Sequence, residues 1–341
     1  MNILLTSAGR RTYLIEYFKK ALAGNGLVHA SNSVLTYSLL QADRHVITPA
    51  IYDNSYIDFL ISYCSKNGIT AIISLFDIDL PILAKNRERF AEKGITIITS
   101  DYDVTQICND KWRTYNFLLS LGLKQTKSYI ELSEAKKAIA SGEIQFPLFL
   151  KPRWGMGSIG LYQAENEDEL DVLYKKLHRE IFRTYLKYES NEDVDKCIII
   201  QEKIKGDEYG LDVLNDLNGN YVTTIAKRKL AMRAGETDIA KIVDAEPFVD
   251  IGKKISGKMR HIANLDIDCF VTASGDIYVL EMNCRFGGQY PFSHLAGVDF
   301  PKQIIEWLEG KPTNSNLITP TIGVESCKDL NPVIFTKQER E

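Results

Sequence analysis

Short apolar runs at 3–5, 28–30, 45–47, 71–74 and 95–98 recur through the first hundred residues. Between them lie stretches whose apolar positions return at helical spacing, as Tyr13, Tyr17, Ala21 and Ile15, Phe18, Leu22 do over 12–22. Strand and helix alternating in this way predict a parallel sheet with helices on both faces, and in such sheets ligands sit at the carboxyl ends of the strands. From residue 101 the pattern becomes two helices broken around Asn109 and Asp110, a strand, a helix capped by Ser133, and a strand over 147–151. Leu161 and Tyr162 read as a strand, and a polar helical stretch follows Asn166, over 168 to about 188. Beyond it come strands at 197–203, 208–215 and 221–228, the last two joined by the turn residues 216–220, then a helix near 251–263. A second hairpin pairs 266–272 with 276–283, and past Thr313 the pattern supports only a closing strand. The fold class is therefore α/β followed by α+β.

Composition narrows the function. The 341 residues are 45% hydrophobic and 25% charged, which is an ordinary folded chain, and the length predicts two or three packed units. With 41 basic against 45 acidic residues the net charge is −4, so there is no basic footprint for nucleic acid. Apolar runs such as 197–200 are far short of the ~20 residues of a membrane span, and the start of the chain lacks a signal-peptide core, so a cytoplasmic location is expected. Six cysteines without a CxxC pattern read as reduced core thiols, Cys269 and Cys284 included.

The densest local signal is the segment 151–160, which contains GxGxxG at Gly155, Gly157 and Gly160. A dinucleotide fingerprint needs a strand before it and a helix opening at it. Here a strand follows, so the segment reads as a flap whose freed N–H groups cover phosphates. A protein kinase uses such a loop too, but the chain has no HRD or DFG. The GxxxxGK string from Gly252 to Lys258 is a coincidence, because Met259 stands where a Ser or Thr must hold Mg²⁺. On the last predicted strand, Glu281 and Asn283 are two apart and share a face; with Asp268 from the neighbouring strand they offer hard oxygen ligands for Mg²⁺.

These motifs together resemble the ATP-grasp ligases, particularly the carbamoyl-phosphate-synthase-like and amino-acid ligase members, over roughly residues 1 to 310. The resemblance rests on Asn109-Asp110-Lys111, on Lys151-Pro152 with the loop to Gly160, on the stretch 201–209, and on Asp268 followed by Glu281-Met282-Asn283-Cys284-Arg285 and Phe286-Gly287-Gly288. It implies a Rossmann-like pre-ATP-grasp domain over 1–105, a first grasping lobe with the flap over 106–203, a second lobe with the metal site over 204–315, and a tail over 316–341. Lys111, Lys151, Gly157 and Ser158 would meet the phosphates, and Glu202, Lys203 and Ile204 the adenine. Glu208 would take the ribose. Asp268, Glu281 and Asn283 would hold one or two Mg²⁺, with Mn²⁺ able to stand in. Arg285 would neutralise the transferring phosphoryl group.

The stretch 226–237 carries four cations before a glycine turn and would be a loop over the phosphates. Lys227 or Lys229 is expected at the nucleotide and Arg233 at the substrate, as a third catalytic cation beside Lys151 and Arg285. Near the start, residues 6–11 follow a strand and open a helix, which makes an anion site of Gly9, Arg10 and Arg11. Asp77, at the end of the fourth strand, is suited to an amine, and Gly287 and Gly288 belong to the substrate side. The expected activity is ATP-dependent joining of a small-molecule carboxylate and an amine through an acyl phosphate, releasing ADP and phosphate, in a monomer or homodimer. The alternatives are phosphorylation of bicarbonate or carbamate, and ATP binding without turnover.

Overall fold

The computed structural model describes residues 1–156 and 159–334. The expectations for Gly157 and Ser158 therefore lie outside the described residues. The first sheet contains β1 (Asn2–Thr6), β2 (Val28–Asn32), β3 (Arg44–Ile47), β4 (Ile69–Ser74) and β5 (Thr96–Ile98). They are parallel in the order β3-β2-β1-β4-β5. Parallel strands covered on both faces must be apolar throughout, and Ile3, Leu4 and Leu5 are all fully buried. The strand order reverses between β1 and β4, so the crevice where such sheets take ligands opens beside Ser7 and Phe76. Helix Thr12–Leu22 has the expected bounds and ends where Ala23 turns left-handed at φ 49°.

The break between helices Tyr102–Asn109 and Lys111–Ser120 falls at Asp110, whose carboxylate accepts the Trp112 and Arg113 N–H groups and so caps the second helix. A second, antiparallel sheet follows: β6 (Ser128–Tyr129), β7 (Leu148–Pro152), β8 (Tyr162–Ala164) and β9 (Ile198–Glu202), in the order β6-β9-β7-β8. Ser133 is not a cap. The helix is Leu132–Ala140, so Ser133 is already its second helical residue, and a cap has to be the last residue outside. Asn166 does cap the next helix, accepting from Glu169 N–H, but this helix runs only over Glu167–Ile181 and a separate turn, Lys187–Ser190, follows it.

The third sheet has β10 (Asp207–Asn215), β11 (Tyr221–Arg233), β12 (Glu236–Val243), β13 (Asn264–Val271), β14 (Ile277–Asn283) and β15 (Glu325–Cys327), ordered β14-β13-β10-β11-β12-β15. Two expectations change here. The stretch 226–237 is not a loop: β11 continues to Arg233 and turns through Ala234 and Gly235, both at positive φ, straight into β12. The helix expected near 251–263 is Glu246–Met259, with Pro247 in its first turn, where its missing N–H costs nothing. Register then decides what each face carries. Gly210 lies opposite both Asp268 and Lys227, Asp212 opposite Asp266, Asp268 opposite Glu281 and Asp266 opposite Asn283, so all of them share one face with Glu208 and Lys229. The other face presents Leu211, Val213, Leu265, Ile267 and Met282 to Phe248, Ile255 and Met259 of the helix Glu246–Met259. No helix among the described residues is long and apolar enough to cross a membrane.

Candidate functional site

A cavity of about 560 Å³ lies between the second and third sheets, with the charged face of the third as its floor. That volume is in the range of small-molecule sites. Five lysines line it, and Lys111, Lys151 and Lys229 are the three on the side of Glu281 and Asp268. Lys151 alternates with Phe149 on β7, so both face the cavity while Leu148 and Leu150 fill the core behind. Lys111 is held from the side: Asp110 takes the Arg153 guanidinium through two bonds of 2.8 and 2.7 Å, Lys111 N–H donates to Arg153 O at 3.1 Å, and Lys111 Nζ donates to Gly155 O at 2.5 Å. Lys229 comes up from the floor, 2.6 Å from Glu208 Oε1 and 2.7 Å from Asp268 Oδ1.

Their electrostatics differ. Burial pushes Lys151 down to about 8, with Lys111 adding to the effect and Glu281 and Asp268 opposing it. Lys229 is pushed up, because Asp268 and Glu208 outweigh its burial. Glu281 lies 4.0 Å from Lys151. Burial alone would raise Glu281, but Lys151, Lys111, Lys229 and Arg285 together hold it below the usual carboxylate range.

Glu202, Lys203 and Ile204 form the edge of the same cavity beyond β9. Glu202 is pinned to Lys127 twice, by its own N–H to Lys127 O and by Lys127 N–H to its carboxylate, each 3.1 Å. Lys203 turns outward to Gln163 Oε1 at 3.0 Å. Phe149, Phe270, Met156 and Leu280 give this end apolar walls. Leu280 reaches the cavity beside Glu281 because a bulge between Asp268 and Cys269 inserts it as an extra residue.

For a divalent cation the fit is uneven. Glu281 and Asn283 carry no side-chain hydrogen bond among the described residues and keep oxygen lone pairs for a hard ion, whereas Asp268 already accepts from Lys229 and, at 3.1 Å, from Gln289 Nε2. Among the described residues no group of three or more His, Cys, Asp or Glu could hold a metal, so any site here leans on the amide of Asn283 and on the ligand.

Arg285, two residues past Asn283, points towards the first sheet. Its Nε and Nη2 donate to Asp77 Oδ2 at 3.0 and 2.8 Å, and its Nη1 is 3.7 Å from Asp266. Asp77 and Arg285 are thus joined rather than standing as separate substrate groups. Arg11 donates to Leu75 O, and burial and Arg285 both lower it. Asp79 is sealed under Thr6, Ser7, Tyr56 and Ser74 hydroxyls, leaving Asp77 as the acid at the crevice. A Cβ at Gly287 would lie 2.1 Å from the Asp266 carboxyl carbon, so a larger residue there would push the Asp266 side chain aside.

Other expected residues stand elsewhere. Lys227 is fully buried against Asp212 and Ser293, outside the cavity lining. Arg233 pairs with Asp238 at 2.6 Å near the hairpin tip. Arg10 is exposed, and neither Gly9 nor Gly288 lines the cavity. Sequence reasoning passed over Asp266 and Gln289. Asp266 sits two residues before Asp268 on one strand, a spacing that places both on one face, but no sequence signal marks Gln289, which folds back to within 2.5 Å of Asp266 and 3.1 Å of Asp268.

Residues 3–98 match the family model of the PylC-like N-terminal domain, and residues 144–291 that of the ATP-grasp domain. The arginine-specific large chain of carbamoyl phosphate synthase from Bacillus subtilis is 22% identical over 299 residues, 85% of this chain and 25% of that protein. The small subunit of 2-oxoglutarate carboxylase from Hydrogenobacter thermophilus is 26% identical over 243 residues, 66% of this chain and 48% of that protein. The chain therefore spans a quarter to a half of the length of these curated relatives. Among solved structures, the L-amino acid ligase from Bacillus licheniformis superposes with a TM-score of 0.73 at 18% identity, covering 98% of this chain and 81% of that one, a likeness of fold.

Proposed function

Since the chain belongs to the ATP-grasp superfamily, we propose that it is an ATP-dependent carboxylate–amine ligase. The observation that carries this reading is the convergence of Lys111, Lys151 and Lys229 with Glu281 in one cavity large enough for a nucleotide. Lys151 and Lys111 neutralise the polyphosphate from the first lobe. Lys229, chosen over Lys227 because it alone reaches the cavity, does so from the floor while fixing Glu208 for the ribose. Glu202, with the Lys203 and Ile204 backbone, takes the adenine edge. Glu281 and Asn283, with the remaining oxygen of Asp268, hold Mg²⁺, which when bound offsets the phosphate charge.

A carboxylate oxygen attacks the γ-phosphorus, the bond to the β-phosphate bridge breaks, and ADP leaves. The amine nitrogen then attacks the acyl carbon, the carbon–oxygen bond to phosphate breaks, and the amide, phosphate and a proton are released. Arg285 is tied to Asp77 outside the cavity lining, so its part is to fasten the end of β14 beside Glu281 and Asn283 rather than to touch the transferring group. Catalysis is mostly positioning and charge neutralisation.

The test is a phosphate-release screen over pairs of carboxylates and amines, with Glu281→Gln as the inactive control. ADP and phosphate are the expected products; AMP and pyrophosphate would sink the acyl-phosphate mechanism. A second reading puts bicarbonate in place of the carboxylate. It is favoured by the biotin carboxylase domain of the Hydrogenobacter 2-oxoglutarate carboxylase, whose structure holds MgADP and bicarbonate and superposes with a TM-score of 0.72 at 19% identity, covering 92% of this chain and 71% of that one. Bicarbonate alone driving phosphate release would decide for it. On this proposal the pre-ATP-grasp domain spans 1–105, the two grasping lobes 106–203 and 204–315, and a tail 316–341.

A further inference from the structure

Past residue 291, where the ATP-grasp match ends, the chain comes back to the site. Thr321 N–H donates to Ala296 O at 2.8 Å and Gly323 N–H to Ile242 O at 2.9 Å, and β15 then pairs with β12 at the edge of the third sheet. The chain stays attached one residue further, where Lys328 N–H donates to Asp238 O at 2.8 Å. Lys328 Nζ lies 3.7 Å from where a Cβ at Gly288 would stand and 3.3 Å from Glu236 Oε2. Apart from the chain neighbours of Gly288, no other described atom comes within 4 Å of that point, so there is open space over the glycine. The Glu236 side chain is 66% exposed against 23% for Lys328, which makes the pair a weak one and the lysine its inward member.

A second cation borders this space. Arg11 is partly buried, and its one hydrogen bond among the described residues goes to the neutral Leu75 O, with no ion pair to a carboxylate. Burial, and then Arg285, lower it, as expected of a guanidinium short of a counter-ion. Tyr13 links the two cations: burial pushes its hydroxyl up, and Arg11, Glu236, Arg285 and Asp266 are the charges that act on it. That hydroxyl has no partner among the described residues and is not among the side-chain atoms sealed from water. Gly235, next to Glu236, lines the large cavity, so one hairpin tip touches both the nucleotide site and the partner of Lys328. The path to Glu281 and Asn283 is short. Gly287 abuts Asp266, Asp266 lies opposite Asn283, and opposed strand residues stand only about 5 Å apart. Half-buried cations without a close carboxylate, beside an open hydroxyl, call for an anion.

We propose that Lys328, with Arg11 and Tyr13, holds a second anionic group of the acid substrate, separate from the carboxylate that receives the phosphoryl group. This rests on the ligase reading and narrows its acid to one with two anionic groups a few carbons apart, a dicarboxylate or a phosphorylated carboxylate. The reacting carboxylate lies beside Glu281 and Asn283, and the other end reaches past Asp266 to Gly288. Asp77 remains the acid suited to the amine, which leaves the anion at Lys328 to the other substrate.

The experiment titrates the full chain with succinate, glutarate and butyrate by saturation-transfer NMR in the presence of MgADP, where nothing turns over. Succinate or glutarate is expected to bind tenfold or more tighter than butyrate. Lys328→Met should remove that advantage and Lys328→Arg should restore it, while the Kd for ATP by equilibrium dialysis stays as in wild type. Tyr13→Phe should weaken the dianion several-fold and serves if Lys328→Met does not fold. Tighter binding of 3-phosphonopropionate than of both dicarboxylates assigns a phosphoryl group, and the reverse order a carboxylate. Equal binding of the three acids, or a dianion advantage that survives in both Lys328→Met and Tyr13→Phe, overturns the proposal and leaves Lys328 a surface partner of Glu236. Saturation by glycine in place of the dianions hands the anion to the amine substrate and overturns it too. Binding is read without turnover, so a failed phosphate-release screen strikes the ligase reading, and a missing dianion preference strikes this subsite alone.

Discussion

Asp77 Oδ2 receives both Nε and Nη2 of Arg285, 208 residues away, and in doing so fastens the crevice of the parallel sheet to the end of β14. The Arg285 side chain is 9% exposed and is pushed up despite its burial, chiefly by Asp77 and Asp266. Removing one partner of such a pair strands the other charge, which typically costs about 3–5 kcal/mol. Asp77→Asn and Arg285→Gln should each lower the urea midpoint substantially. The double variant should lose less than the two losses added. Additivity within about 0.5 kcal/mol would mean that the pair is not coupled in the folded protein.

Lys227 and Lys229 give opposite expectations although they share a face. Lys227 and Asp212 are both 0% exposed, and Ser293 completes their contacts, so Lys227→Met strands a buried carboxylate and should destabilise by roughly 3–5 kcal/mol. Pairing it with Asp212→Leu should recover much of the loss. Lys229→Met strands carboxylates that are partly open to the cavity, so it should destabilise less than Lys227→Met while raising the Kd for ATP tenfold or more, read by equilibrium dialysis. If Lys227→Met weakened nucleotide binding in a fully folded protein, the assignment of the two lysines would be reversed.

That pair also marks where sequence reasoning stops. Alternation placed Glu281 and Asn283 on one face, and the register of β13 against β14 brings Asp268 to them, because period 2 is a local property. Alternation puts Lys227 and Lys229 on one face as well, and only the third dimension separates them: Ser293 closes over Lys227 while the cavity opens at Lys229. The parallel sheet was legible because buried parallel strands are apolar at every position. The joining of Asp77 to Arg285 was not, since no periodicity links residues 208 apart. Gly210 shows the same limit. A Cβ there would lie 1.4 Å from Gln289 Oε1, so a larger residue would push the Gln289 amide off Asp266 and Asp268.

Lys151 brings a pH dependence. Burial holds it down to about 8, so in the free protein it loses its proton as pH rises through that value. A neutral amine no longer offsets a phosphate charge. The expected profile of kcat/KM for ATP is therefore flat near pH 7 and falls above about 8. In Lys151→Arg, whose guanidinium stays charged, that fall should disappear even if the level of activity drops. A profile of wild type unchanged to pH 9.5 would show that Lys151 is not the group that meets the nucleotide.

Asp266 yields a stability test with a defined sign. Burial first, and Asp268 next, push it up to about 7 against the pull of Arg285. Between roughly pH 4 and 7 the folded chain therefore holds a proton that the unfolded chain has released, and stability from this group falls as pH rises through that window. Asp266→Asn removes the titration while keeping an oxygen for Gln289 Nε2, which lies 2.5 Å from Asp266 Oδ1. Wild type should be the more stable relative to Asp266→Asn at pH 5 and should lose that advantage by pH 8. For a coupled group the change is on the order of 1–3 kcal/mol, which in a chain of this size moves Tm by several degrees. Calorimetry of both proteins at pH 5, 6.5 and 8 makes the comparison, and a constant Tm difference across the series would place the proton elsewhere in the Asp212, Asp266 and Asp268 cluster.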